Sequence, residues 1–137
     1  MKTTKEWKEL PDSGNKVTTA DSGPGEDIEN LYDNFLNRVA AAYPKVNNNL
    51  LVKIMALERK FPNSLPHVHL EVDFKEGIDI EHPKYDISEK HHVQVAVHRW
   101  EKTKLVVTGM MNVSAVAEIS SHDSVIQIIG SASAAYY

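Results

Sequence analysis

The sequence predicts an α+β fold: one or two N-terminal helices packed on one face of a mostly antiparallel sheet of about four strands. Three observations predict it. Apolar residues recur at helical spacing between Ile28 and Tyr43. From Val68 to Phe74 the period changes to two, and it is two again from Val93 to Val97, where a short turn leads into a third apolar run.

The stripe of Ile28, Leu31, Tyr32, Phe35, Leu36, Val39, Ala40 and Tyr43 is that of an amphipathic helix. Glu26, Asp27 and Glu29 suit the positive end of its dipole and Pro44 stops it, so the helix is expected over Glu26–Ala42. Asn47, Asn48 and Asn49 form a cap or turn cluster before Leu50, Leu51, Ile54, Leu57 and Phe61. That spacing favours a second helix closed by Arg59, Lys60 and Pro62, although Val52, Ile54 and Ala56 also alternate as in a strand. In the first strand Val68, Leu70, Val72 and Phe74 face inward, opposite His67, His69, Glu71 and Asp73. Residues 76–90 read as a polar loop with Gly77 and Pro83. Val93, Val95 and Val97 then alternate with His92, Gln94, Ala96 and His98. Glu101, Lys102 and Thr103 turn the chain into Leu105–Thr108, completing a hairpin. Beyond Met110 the signals mix: Val113, Ala115, Ala117 and Ile119 alternate, Ser121-His122-Asp123 suits a turn or a cap, and Val125–Ile129 is β-branched.

Residues 1–25 are polar and end in Gly23-Pro24-Gly25, too poor in apolar side chains to fold alone. They read as an N-terminal arm, with Trp7, Leu10 and Val17 spaced as contacts for a partner, ahead of a single α+β domain over 26–137. Composition narrows the function. A chain of 137 residues with 42% hydrophobic content can bury a core without staples. Cysteine is absent, which removes disulfides, thiolate nucleophiles and Cys-type metal sites. No signal peptide or membrane-length apolar run is visible, so a cytoplasmic location is expected. The net charge of −4 argues against a nucleic-acid partner.

The histidines supply the sharpest chemical candidate. His67, His69 and Glu71 share one strand face, and His92 and His98 share another with Gln94. If those two strands paired, imidazoles and a carboxylate would converge as they do around zinc or iron. The His-x-His pair is similar to cupin metal sites, without the flanking glycines or the second motif. A solvated or subunit-covered sheet face is the plainer reading of the same residues. For nucleic acid, Arg99, Lys102 and Lys104 cluster beside Trp100, whose indole could stack on a base. No catalytic residues are assigned, because adjacent side chains such as Ser121, His122 and Asp123 diverge and cannot form a relay.

Lys53-Ile54-Met55-Ala56-Leu57-Glu58-Arg59-Lys60-Phe61, then His67-Val68-His69-Leu70-Glu71-Val72, resembles the first helix and following strand of ribosome hibernation-promoting factors. The hairpin from His92 to Val107 is similar to that family's next two strands. The resemblance implies a ribosome- or RNA-associated factor. Three features depart from the family: a helix replaces its first strand, residues 76–90 intervene, and its basic character is largely missing. The favoured expectation is a non-catalytic assembly protein that forms a homo-oligomer or larger particle, by analogy a phage- or virion-type structural component, whose arm contacts a neighbour. A metal-binding protein and an RNA-associated factor are the alternatives.

Overall fold

A computed structural model describes residues 23–134. The candidate partner contacts Trp7, Leu10 and Val17 lie outside the described residues. The elements, in order, are α1 (Pro24–Ala42), α2 (Asn48–Lys60), β1 (His67–Phe74), α3 (Glu81–His91), β2 (Gln94–Val97), β3 (Lys104–Met110), α4 (Val113–Ser120) and β4 (Val125–Ser133). The four strands form one antiparallel sheet in the order β2-β3-β1-β4. The described residues divide into two compact units, 23–37 and 38–134. In the first, the described part is the N-terminal stretch of α1. The sheet, its core and the remaining helices belong to the second.

The alternation in β1 is the architectural key. Val68, Leu70, Val72 and Phe74 are buried, while His67, His69, Glu71 and Asp73 lie on the other face. Leu105 and Val107 of β3 continue the buried layer beside them. Against this layer α2 sets Leu50, Leu51 and Ile54, with Leu57 buried on the same stripe, and α4 sets Val116 and Ile119. Each such side chain contributes about 1.5–3 kcal/mol when fully buried. The helical reading of residues 50–61 is therefore the one realised: Leu50, Leu51, Ile54 and Leu57 share a stripe that strand geometry would split between two faces.

The helix ends explain the boundaries. The Asn47 side chain accepts the Leu50 N–H (3.2 Å) and starts α2, as the asparagine cluster suggests. At α4 the Asn112 side chain accepts the Ala115 N–H (2.9 Å). The Val113 N–H is taken by Glu58 Oε2 at 2.8 Å, so a carboxylate on α2 holds the N-terminus of α4. Residues 113–119, which alternate in sequence, are thus helical. Ser121–Ser124 form the turn from α4 into β4.

The polar loop expected over 76–90 is corrected: it contains α3. Pro83 sits in the first turn, where an amide N–H would lack a helical partner anyway, so proline does not break the helix. Only Pro83 and Ile87 of α3 are buried, which leaves almost no apolar stripe to read. The strand position expected for His92 is corrected too. His92 ends α3 in the left-handed conformation (φ 54°), and β2 begins at Gln94.

Candidate functional site

Four surfaces of the described chain carry chemistry: the open sheet face, the β2–β3 hairpin tip, a groove between α3 and α4, and the apolar stripe of α1.

On the open face the cross-strand rows follow from register. One runs Gln94–Thr108–His69–Ser131, the next Ala96–Val106–Glu71–Ile129, and Lys104 stands between Asp73 and the hairpin. Thr108 Oγ1 lies 3.3 Å from His69 Nδ1. Lys104 is nearly covered and meets three carboxylates: Glu71 at 3.4 Å, Asp73 at 3.7 Å and Glu101 at 3.7 Å. Desolvation pulls its pKa down, but Asp73, Glu101 and Glu71 together outweigh that and hold it above the usual lysine value. Lys104 is an internal tie across β1 and β3, which removes it from the positive patch expected at the hairpin.

The five histidine-face residues do not converge. The strand carrying His67, His69 and Glu71 pairs with β3 and β4, not with β2. With β3 interposed, β1 and β2 are about 9–10 Å apart, two strand spacings. His92 is a helix cap, off the strand altogether. His98 turns its ring back on its own backbone: Nδ1 accepts the N–H of Trp100 (3.1 Å) and of Glu101 (3.2 Å). Accepting at Nδ1 puts the ring proton of the neutral form on Nε2. Among the described residues no group of three His, Asp or Glu side chains could hold a metal ion.

At the hairpin tip Trp100 is 80% exposed, with the Arg99 guanidinium 5.5 Å from its ring centroid. With Lys104 engaged elsewhere, Arg99 and Lys102 are what remains of the expected cluster, beside the acidic Glu101.

The groove between α3 and α4 encloses about 410 Å³ and is lined by Ile87, His91, Glu118, Ile119 and His122 among others. Lys90 and Glu118 form an ion pair across it, and His91 Nε2 lies 3.9 Å from Glu118 Oε1. The hydrogen bond and charge of Lys90 hold the Glu118 carboxyl below its ordinary value, against a smaller desolvation effect. His122 Nδ1 accepts the Ser124 N–H (3.3 Å), stabilising the turn into β4. The groove can hold a small apolar group; no nucleophile with an adjacent base lines it.

Compared with protein-family models, curated proteins and solved structures, the chain matches none.

The fourth surface is the apolar stripe of α1. Of its apolar residues Val39 is buried in the core, whereas Ile28, Leu31, Tyr32 and Phe35 are 39–64% exposed. The Tyr32 and Phe35 ring centroids are 6.4 Å apart. In sequence this stripe looks like an ordinary core-facing one. What distinguishes it is placement ahead of a second amphipathic helix that already supplies four core residues. A further surface escaped the sequence reading: Ile126 and Ile129 on β4 are exposed, 54% and 38%. No helix among the described residues is long and apolar enough to cross a membrane.

Proposed function

We propose that the protein is a non-catalytic assembly subunit that builds a homo-oligomer or larger particle, with residues 1–25 as an arm whose Trp7, Leu10 and Val17 contact a neighbour. The observation that carries this reading is the exposed stripe of Ile28, Leu31, Tyr32 and Phe35. Scattered apolar side chains on a surface are ordinary, but a contiguous helical row marks an interaction site. Glu26, Asp27, Glu29 and Asp33 in the same stretch keep its polar side soluble. Among the described residues the two histidine-bearing stretches expected to share a metal are separated by β3, and Lys104 is engaged by three carboxylates, so neither feature adds support to the alternatives. A particle component of phage or virion type, assembled in a cytoplasm, fits a cysteine-free chain of this kind.

The test is the solution mass of the full chain beside a Leu31→Glu, Phe35→Glu double variant. Both side chains are exposed, and a far-ultraviolet spectrum unchanged from the wild type is the control for the fold of the variant. The reading expects the wild type well above 15.4 kDa and the variant at a smaller mass. A wild type that scatters as 15.4 kDa at tens of micromolar overturns it.

A further inference from the structure

The two edges of the sheet are built differently. The β2 edge is four residues long, α3 lies against it with Tyr85 and Ser88 beside Val95, and the charged hairpin tip follows. Short, covered, charge-flanked edges are how proteins prevent sheets from pairing. The β4 edge is covered only at Ile128 among the described residues, and it is neither short nor flanked by charge. It is nine residues long, and from Ser124 to Tyr137 no residue is charged and none is proline.

Register identifies the free groups. Ile128 turns its backbone away from β1: its N–H donates to the Lys45 carbonyl (2.7 Å), and its C=O accepts from Asn47 N–H (3.0 Å). Val46 thereby covers the edge at Ile128 as a single parallel bridge. In an antiparallel ladder the outward groups recur at every second residue. Gly130 and Ala132 therefore also point outward, and among the described residues their outward groups have no partner. The segment carrying them, Gly130-Ser131-Ala132-Ser133, is made of small residues that let another backbone approach.

The geometry points to the β4 edge as a homotypic interface: β4 of a second copy pairs antiparallel with it, continuing the sheet across a two-fold axis. This deepens the assembly reading and rests on it. An antiparallel edge is its own complement. With the axis at Ser131, Gly130 of one copy exchanges two hydrogen bonds with Ala132 of the other, and the symmetric pair adds two more. An uncharged strand meets an identical strand without the like-charge repulsion that would reject a second copy carrying edge lysines. Ile129, exposed in the single chain and two residues from the axis, flanks the seam.

The experiment combines solution mass with amide exchange on the full chain. Ala132→Pro removes one outward N–H while leaving the β1 side of the ladder intact, and proline is tolerated on edge strands. Ser131→Lys is a second variant that places a charge on the seam without touching the backbone. The expected results are a halved mass for both variants, with the wild-type far-ultraviolet spectrum retained and a melting midpoint that no longer rises with concentration. Exchange at Gly130 and Ala132 in the wild type should slow about tenfold as concentration rises through the association range. An oligomer whose mass neither variant alters overturns the β4 seam and leaves the assembly reading standing. A wild type that is monomeric throughout overturns both. Protection at Gly130 and Ala132 that is independent of concentration assigns the edge to a segment of the same chain and also overturns the seam.

Discussion

Replacing Gly130 with alanine tests the sheet at its tightest point. Gly130 faces Leu70 across β1 and β4, in a pair whose groups do not bond to each other, the class of antiparallel pair in which the Cα atoms come closest, about 4.5 Å. A Cβ at Gly130 would lie 2.0 Å from the His69 carbonyl oxygen and 3.1 Å from both the His69 carbonyl carbon and Leu70 Cα. All three are backbone atoms of the central strand, which is hydrogen-bonded on both sides and cannot rotate away. Relieving the contact needs β1 and β4 to separate by about 1 Å, a shift of the overpacking kind that costs about 1–3 kcal/mol. Taking about 2 kcal/mol for the clash, less about 0.5–1 kcal/mol that alanine gains over glycine in a strand, and about 4 °C per kcal/mol for a domain of this size, G130A should melt about 4–6 °C below the wild type. Gly109 is the internal control. Its added Cβ would meet the Val93 side chain, nearest at Cγ1 (2.6 Å), and a side chain can turn aside more cheaply than a central strand. G109A should therefore lose less than G130A. The assay is thermal unfolding followed by circular dichroism. Without a clash, alanine would stabilise a strand by about 0.5–1 kcal/mol over glycine. The sign alone decides: a G130A protein as stable as the wild type, or more so, refutes the β1–β4 register.

Glu58→Ala should destabilise by about 1–2 kcal/mol, because it strands the Val113 N–H at the start of α4 and removes a carboxylate from that helix end. Chemical denaturation reads this as a lower midpoint at unchanged slope, and an unchanged midpoint would refute the Glu58 tether. Glu118 predicts the acid limb of the stability curve. Its folded pKa lies below its ordinary value of 4.5, so its contribution is complete above that value and is lost as the pH falls through the lowered one. Glu118→Gln should flatten stability in that window and leave the shape above pH 6 unchanged; identical acid limbs would show that Lys90 does not hold Glu118 in solution.

Legibility of the fold tracked the strength of local patterns. β1 reads cleanly because a central strand with one covered face must alternate, and Val68 to Phe74 do so without exception. The hairpin reads for the same reason. α3 is invisible because two buried residues in eleven cannot set a period, and its proline mimics a loop signal. α4 misleads because in Val113 to Ile119 small alanines stand between larger residues, a pattern that two periods share. The candidate site was only half legible. Periodicity puts His67, His69 and Glu71 on one face, as observed, but no periodicity says which strands are neighbours. The order β2-β3-β1-β4 inserts β3 between the two histidine-bearing stretches, and local backbone bonds claim His98. Exposure of the α1 stripe is equally beyond what periodicity can say: Leu31 and Phe35 have the spacing of core residues, yet both are exposed.

The most direct measurement is the mass of the intact wild-type chain by sedimentation equilibrium across a hundredfold range of concentration. A chain whose apolar helix row is meant for neighbours should sediment at an integral multiple of 15.4 kDa that falls only on dilution. A single 15.4 kDa species at every concentration would mean that Ile28, Leu31, Tyr32 and Phe35 serve no contact between copies, and the account of the protein as a self-assembling subunit would be wrong.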